Sequence, residues 1–471
     1  MKAWSMRLAA TLRRPLWLVV LLVFCAAAAV GGWFLWNWRK TDDLRRQALA
    51  AMADRDFETA KGHLQAYLAA RPKDGEARFL LARAFRQART EDFDQAGDNL
   101  YEARRLGYSG DDAALEAVLL DIQEHGPSAE RMTLLQPCLE GGGAGEALGL
   151  EAMARGCIRQ IRMAEAIGLC NRWVELAPDD WYPRLWRGAL YEYMNQASLA
   201  AVDFDFVRQK RPADEAIRVR TGLMLSLSGL DYNRALSYLE PYRRDHPEDM
   251  DVVVAVARCQ RMQQHFAEAE ALLKPIVAAH PDAVDALLTL ALVESDRGDD
   301  QAALGLLQRL EPLVRRSHSA APLARLRRLE PVVDRVDAPK RSKDVFTLFG
   351  TVLSRLGRTE EAKLYLAEAD KIDKLSQELT IALDDYHRKP QDVAVMEKVG
   401  TLSLRVGMVE EGAGVLERLL QMKPDDLAAH QALAEYYGSS DDPELRRLAE
   451  PHRRFLGTAA PSAVLQGPGA P

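Results

Sequence analysis

Prolines recur along this 471-residue chain at a nearly fixed interval. Pro178, Pro212, Pro247 and Pro281 stand 34, 35 and 34 residues apart, and Pro390 and Pro424 stand 34 apart again. Other residue types repeat with them. The segment 179–213 places Gly188 and Tyr191 in one predicted helix, Ala200 and Phe204 in the next, and Pro212 at its end; the next segment repeats the scheme with Gly222, Ala235 and Pro247. A unit of this length holds two helices and a turn, too little to close a core alone, so each unit must bury its apolar face against its neighbours. The sequence therefore predicts an all-α stack of helix pairs.

These residues resemble the tetratricopeptide repeat family, in its membrane-anchored bacterial form. The family pattern has a small residue and an aromatic in the first helix, then alanine, aromatic, alanine and proline. Segment 179–213 fits it best; in 249–282 the matching places are Ala257, Ala269 and Pro281, with Gln260 and Leu273 where the family carries aromatics. The resemblance covers most of residues 41–456. It implies a right-handed α-solenoid of helix-turn-helix repeats that binds a protein or peptide, and it is nearly silent on which one. Some members clamp an acidic C-terminus with lysines and asparagines on their first helices. Here those places hold Arg, Leu or Ala, so that adaptor role is not expected.

Residues 1–40 carry six Lys/Arg and no acid, leaving 56 basic against 69 acidic residues in the remainder, a net of −13. That balance argues against nucleic acid as a partner. Residues 1–15 read as a short basic tail and 16–38 as a transmembrane helix. Leu16–Trp36 has no charge and is about 30 Å long as a helix, enough to cross a bilayer, with Trp17, Trp33, Trp36 and Trp38 near its ends. A cleaved signal peptide is the competing reading, but the apolar run continues past Ala26–Ala29 and exceeds the usual core of such a signal. Basic residues flank the span equally. A short basic tail with a free amino group favours a single-pass protein of the cytoplasmic membrane with its repeats extracytoplasmic.

The solenoid is expected over 39–316, about eight helix pairs. Three precede Gly141-Gly142-Gly143, read as a flexible joint, and four regular pairs follow between Gly145 and Arg316. Residues 317–343, with Pro322, Pro331 and Pro339, read as an irregular linker or non-repeat helix, preferably a boundary between two stacks. A second repeat stretch with a C-terminal cap is expected over 344–456, with an extra helix near Ser376–His387, and a disordered tail over 457–471.

No catalytic constellation is present. Glycine-rich phosphate loops, Gly-x-Ser-x-Gly elbows and His-Glu-x-x-His helices are all missing from the sequence, so neither catalytic residues, nor a cofactor, nor a metal, nor a small-molecule substrate is expected. The five cysteines form no C-x-x-C pair. Cys157 and Cys170 lie on the two helices of one predicted repeat and are read as close, buried and mostly reduced, with a disulfide as the alternative outside the cytoplasm.

Counting round the first helices from the small residue, one face collects Arg83 and Arg86, Arg155 and Arg159, and Arg258 and Arg261, each pair sharing a helix face. Tyr182, Tyr193, Val219 and Leu223 fall between them. A basic groove with an aromatic middle suits an extended acidic peptide, and a solvated charged face is the plainer reading. Removing such exposed arginines is expected to leave folding intact. The chain reads as a membrane-tethered protein-interaction scaffold or assembly factor; the alternative is a regulatory or substrate-recruiting subunit of an envelope enzyme complex.

Overall fold

A computed structural model describes residues 39–88, 92–140, 143–160, 162–316, 338–389, 391–439 and 443–459. Among them every regular element is a helix, so the fold is all-α. The expected span Leu16–Trp36 and the expected tail beyond 459 lie outside the described residues; among the described ones no helix is long and apolar enough to cross a membrane.

Two compact units are formed, one ending at Glu124 and one beginning at His125. The first comprises α1 (39–53), α2 (Phe57–Ala70), α3 (Gly75–Gln87), α4 (Phe93–Arg105) and α5 (Asp111–His125). The second opens with α6 (Ala129–Glu140), α7 (Ala144–Arg159), α8 (Met163–Leu176), α9 (Tyr182–Tyr193), α10 (Ala197–Lys210) and α11 (Glu215–Ser228). It continues with α12 (Tyr232–Asp245), α13 (Met250–Met262), α14 (Phe266–Ala279), α15 (Val284–Arg297) and α16 (Asp300–Arg316). Its last elements are α17 (Ala338–Arg355), α18 (Thr359–Arg388), α19 (Val393–Val406), α20 (Val409–Met422), α21 (Leu427–Ser439) and α22 (Pro443–Ala459).

The recurring prolines explain the segmentation. After α10, Arg211 stands before Pro212 and leaves the helical region at φ −127° and ψ 65°, because a residue preceding proline is sterically barred from it. Its N–H still donates to the Val207 carbonyl (2.9 Å), and the Asp214 N–H returns to the Arg211 carbonyl (3.1 Å). The Asp214 carboxylate then accepts the Ile217 N–H and caps α11. Arg71 to Asp74 and His246 to Asp249 form the same turn, with Asp74 capping α3 and Asp249 capping α13.

Packing within a pair follows from the small residues. A Cβ on Gly188 would stand 2.7 Å from Phe204, one on Gly222 2.8 Å from Leu239, and one on Gly400 2.5 Å from Leu416. Only glycine lets the first helix approach that side chain of the second. Ala60, Ala200, Ala235 and Ala269 are fully enclosed at the matching places of the second helices.

Three expectations are corrected. Five helix pairs, not four, follow the glycines, from α7 to α16. The stretch 317–343 does not divide two stacks: α17 begins at Ala338, and Val345, Phe346 and Phe349 join the same apolar cluster as Leu287, Leu307 and Leu310. Nor is there a separate helix near Ser376–His387. With no Gly or Pro between Thr359 and Arg388, α18 runs unbroken for 30 residues, about 45 Å. Its first half (Ala362, Ala369) packs in that cluster, and its second half (Leu379, Ala382, Tyr386) packs in another with Val399, Leu416 and Leu433. The change of core therefore falls inside a helix.

Candidate interaction surface and a recessed hollow

The arginines singled out in the sequence do share helix faces, but those faces meet the next repeat. Arg86 is fully enclosed; its Nε donates to Glu116 at 2.5 Å and its Nη1 to the Gln123 side chain at 2.9 Å, while Gln123 Nε2 returns to the Arg86 carbonyl. Arg83 donates to the same carboxylate at 2.9 Å. Burial alone would push the Glu116 carboxyl up, and the Arg86 and Arg83 guanidiniums hold it below the ordinary carboxylate range.

In the second unit, Arg155 is buried, pairs with Glu151 at 3.3 Å and lies over the Trp186 ring of the following repeat at 5.1 Å. Arg261 pairs with Asp296 at 2.5 Å. Arg258 reaches Ser226 at 3.5 Å and is half-buried, as is Arg159. Arg220, which sequence reasoning passed over, does the same work: its Nε donates to Glu192 at 2.6 Å and its guanidinium covers Phe204. Several of these contacts join residues about one repeat apart, which is the physical reason for the sidedness read in the sequence. The expectation of uniformly exposed, dispensable arginines is overturned for Arg86 and Arg155.

Tyr182 and Tyr193 are also buried. Tyr182 stands edge-on to Trp173, Trp181 and Trp186. Tyr193 donates its hydroxyl to Glu411 on α20 at 2.6 Å. Val219 and Leu223 are enclosed as well, so the predicted residues are spread along the first helices as packing and are not gathered into one site. Cys157 and Cys170 are buried and form no disulfide here; burial pushes the Cys157 thiol up to about 12 and raises the Cys170 thiol as well. Among the described residues no three His, Cys, Asp or Glu side chains gather in a way that could hold a metal.

A recessed feature that no motif announced lies where α8 and α9 face α18, α19 and α20. Two cavities of about 250 Å³ and about 640 Å³ share Arg162, Glu165 and Tyr386 in their walls. The smaller is walled by apolar side chains that include Leu379, Leu383, Val399, Val406 and Val415. Methionines are concentrated here: Met163, Met194 and Met408 line the smaller cavity, and Met132, Met153, Met396 and Met422 the larger, seven of the thirteen in the chain. That clustering is the one sequence trace of the hollow, and it is invisible until distant repeats are brought together. Arg162 is bound to Glu165 through its Nε at 2.7 Å and through its Nη2. The Arg418 guanidinium, lining the larger cavity, donates from Nε to the Gly414 carbonyl at 3.4 Å, while its Nη2 is buried without a hydrogen-bond partner.

Two sequence profiles of the tetratricopeptide repeat match this chain, over residues 45–110 and 230–291. No curated protein matches it. Among solved structures, MamA from Desulfovibrio magneticus RS-1 is similar at 20% identity, covering 38% of this chain and 99% of its own, with a TM-score of 0.32. The tetratricopeptide repeat protein TTC0263 of Thermus thermophilus is similar at 18% identity over 47% of this chain and 98% of its own, with a TM-score of 0.27. One from Parabacteroides merdae is 15% identical over 62% of this chain and 98% of its own, with a TM-score of 0.29. The two matched segments fall on successive helices of the fold, α1 to α4 and α12 to α15: this chain carries tetratricopeptide repeats.

Proposed function

We propose that this chain is a protein-interaction scaffold that works beside a membrane and performs no chemistry of its own. The observation supporting it is the set of polar ties between successive first helices, Arg86 to Glu116, Arg220 to Glu192 and Arg261 to Asp296. Such ties hold neighbouring pairs in register within each unit. Side chains left outside, such as Leu199 and Val202 on α10, then meet a partner already ordered, which lowers the entropic cost of association.

The uncharged run Leu16–Trp36 supports a single-pass anchor in the cytoplasmic membrane with the repeats on the extracytoplasmic side. The partner in this reading is a protein or an extended peptide. An acidic segment would be received at Arg159 and Arg258, which are half-buried, in preference to Arg86 and Arg155, which are closed in.

The test is crosslinking in intact cells followed by affinity purification of the full chain from detergent-solubilised membranes. Specific proteins are expected above a control carrying only residues 1–40, and fewer of them with Arg159→Ala and Arg258→Ala combined. A recovered set equal to that of the control would overturn the scaffold reading. Carbonate extraction checks the anchor: the chain is expected in the pellet, and release to the supernatant would remove it.

A further inference from the structure

Three features of the paired cavities converge on a ligand that is not a protein. Half of the residues that wall the smaller one carry aliphatic or thioether side chains, which suit a flexible apolar chain because methionine adapts its rotamers to what it contacts. The shared wall is polar, with Arg162, Glu165 and Tyr386. Glu165 is engaged by Arg162, so it does not neutralise the second guanidinium of the hollow, Arg418. Arg418 and Tyr386 both line the larger cavity, so a cation and a hydroxyl donor stand in its wall to receive an anion.

We propose that this hollow binds a long-chain carboxylate amphiphile of the fatty-acid class. The chain lies in the smaller cavity among Leu379, Leu383, Val399 and Val406, and the carboxylate pairs with the Arg418 side chain in the wall of the larger cavity and accepts from the Tyr386 hydroxyl. Met422, half exposed, stands in the wall of the larger cavity and marks the side from which the ligand enters. The polarity is set by charge: the smaller cavity's own carboxylate, Glu411, is bound to Tyr193 and would repel a second anion, so the head group stays at Arg418. This site goes beyond the scaffold reading and does not depend on it.

The experiment uses the full chain reconstituted in phospholipid nanodiscs, which avoids detergent in the site, with fluorescent cis-parinaric acid as probe. A saturable signal above that of empty discs is expected, displaced by oleate and at least about 10-fold less effectively by oleyl alcohol, which lacks the charge. Arg418→Met is expected to raise the probe's Kd about 10-fold or more, and Arg418→Lys to retain most of the affinity. Melting in the same discs reports whether each variant folds; should Arg418→Met melt early, the contrast between oleate and oleyl alcohol on the parent decides. No saturable signal, which is also the result if disc phospholipid fills the hollow, would overturn the proposal. So would equal displacement by the alcohol, or an unchanged Kd in a folded Arg418→Met.

Discussion

The hydroxyl of Tyr193 donates to the carboxylate of Glu411 over 2.6 Å, joining a first helix in the middle of the chain to a second helix 218 residues later. Both residues are buried, so the bond is made where water competes poorly. A bond to a charged acceptor contributes about 1.5–3 kcal/mol net. Tyr193→Phe, which keeps the ring and removes the donor, is expected to lower the unfolding free energy of the second unit by that amount in a denaturant titration. A double-mutant cycle with Glu411→Gln should show coupling; independent effects would mean that the two groups do not meet.

Glycine positions divide sharply by what a side chain would strike. A Cβ on Gly412 would lie 2.8 Å from both the Gly400 carbonyl oxygen and the Leu404 nitrogen, and no rotamer change moves backbone. Gly412→Ala should therefore separate α19 from α20 and cost about 1–3 kcal/mol by overpacking. Gly62, in α2, has nothing within 4 Å of such a Cβ. There the same substitution should stabilise by about 0.5–1 kcal/mol, because alanine loses less backbone entropy in a helix. Equal melting shifts for the two would contradict the packing described between α19 and α20.

Arg86 offers a contrast of burial at constant chemistry. Arg86→Ala leaves Glu116 a buried carboxylate deprived of its closest cation, which costs about 3–5 kcal/mol, whereas Arg105→Ala, removing an arginine 64% exposed, should leave stability nearly unchanged. The acid limb follows from the lowered Glu116 pKa. The contribution is full above the ordinary value of 4.5 and is lost as pH falls through the lower folded-state value. Glu116→Gln should make the first unit less stable at neutral pH and less sensitive to acid below 4.5. Parallel pH profiles for parent and variant would show that the pair does not form.

Where the sequence was legible, the reason is locality. Gly188 and Phe204, or Arg211 and Asp214, interact over short spans of chain, so their spacing carries the geometry. The arginine faces were legible as faces but not as contacts, because helical spacing shows that Arg83 and Arg86 point the same way without showing that Glu116 lies there. The 30-residue α18 was misread because the repeat pattern invites a break that its residues do not supply. The hollow could not be read at all. Its walls come from residues within 127–195 and 376–422, and no period relates them.

The last helix pair contains a proton-sensitive contact. His430 Nε2 lies 2.9 Å from the Pro424 carbonyl, which can only accept, so that nitrogen carries the proton of a neutral ring. Its Nδ1 is then bare and must accept from His452 Nδ1, 2.8 Å away. Phe455 stacks on His430, and Glu417, bound to Tyr437, is the nearby acid. Burial first, and then His430, hold the His452 pKa below its ordinary 6.5, although Glu417 pulls the other way. A base whose folded-state pKa is lowered binds fewer protons folded than unfolded, so the contribution of His452 is full above 6.5 and declines as pH falls through and below that value. Hydrogen exchange of α21 and α22, corrected for the intrinsic rate, should therefore lose protection between pH 7.5 and pH 5. The loss should be smaller in His452→Gln, which cannot titrate. Protection in the parent that is the same at both pH values would mean that the two rings are not coupled as described.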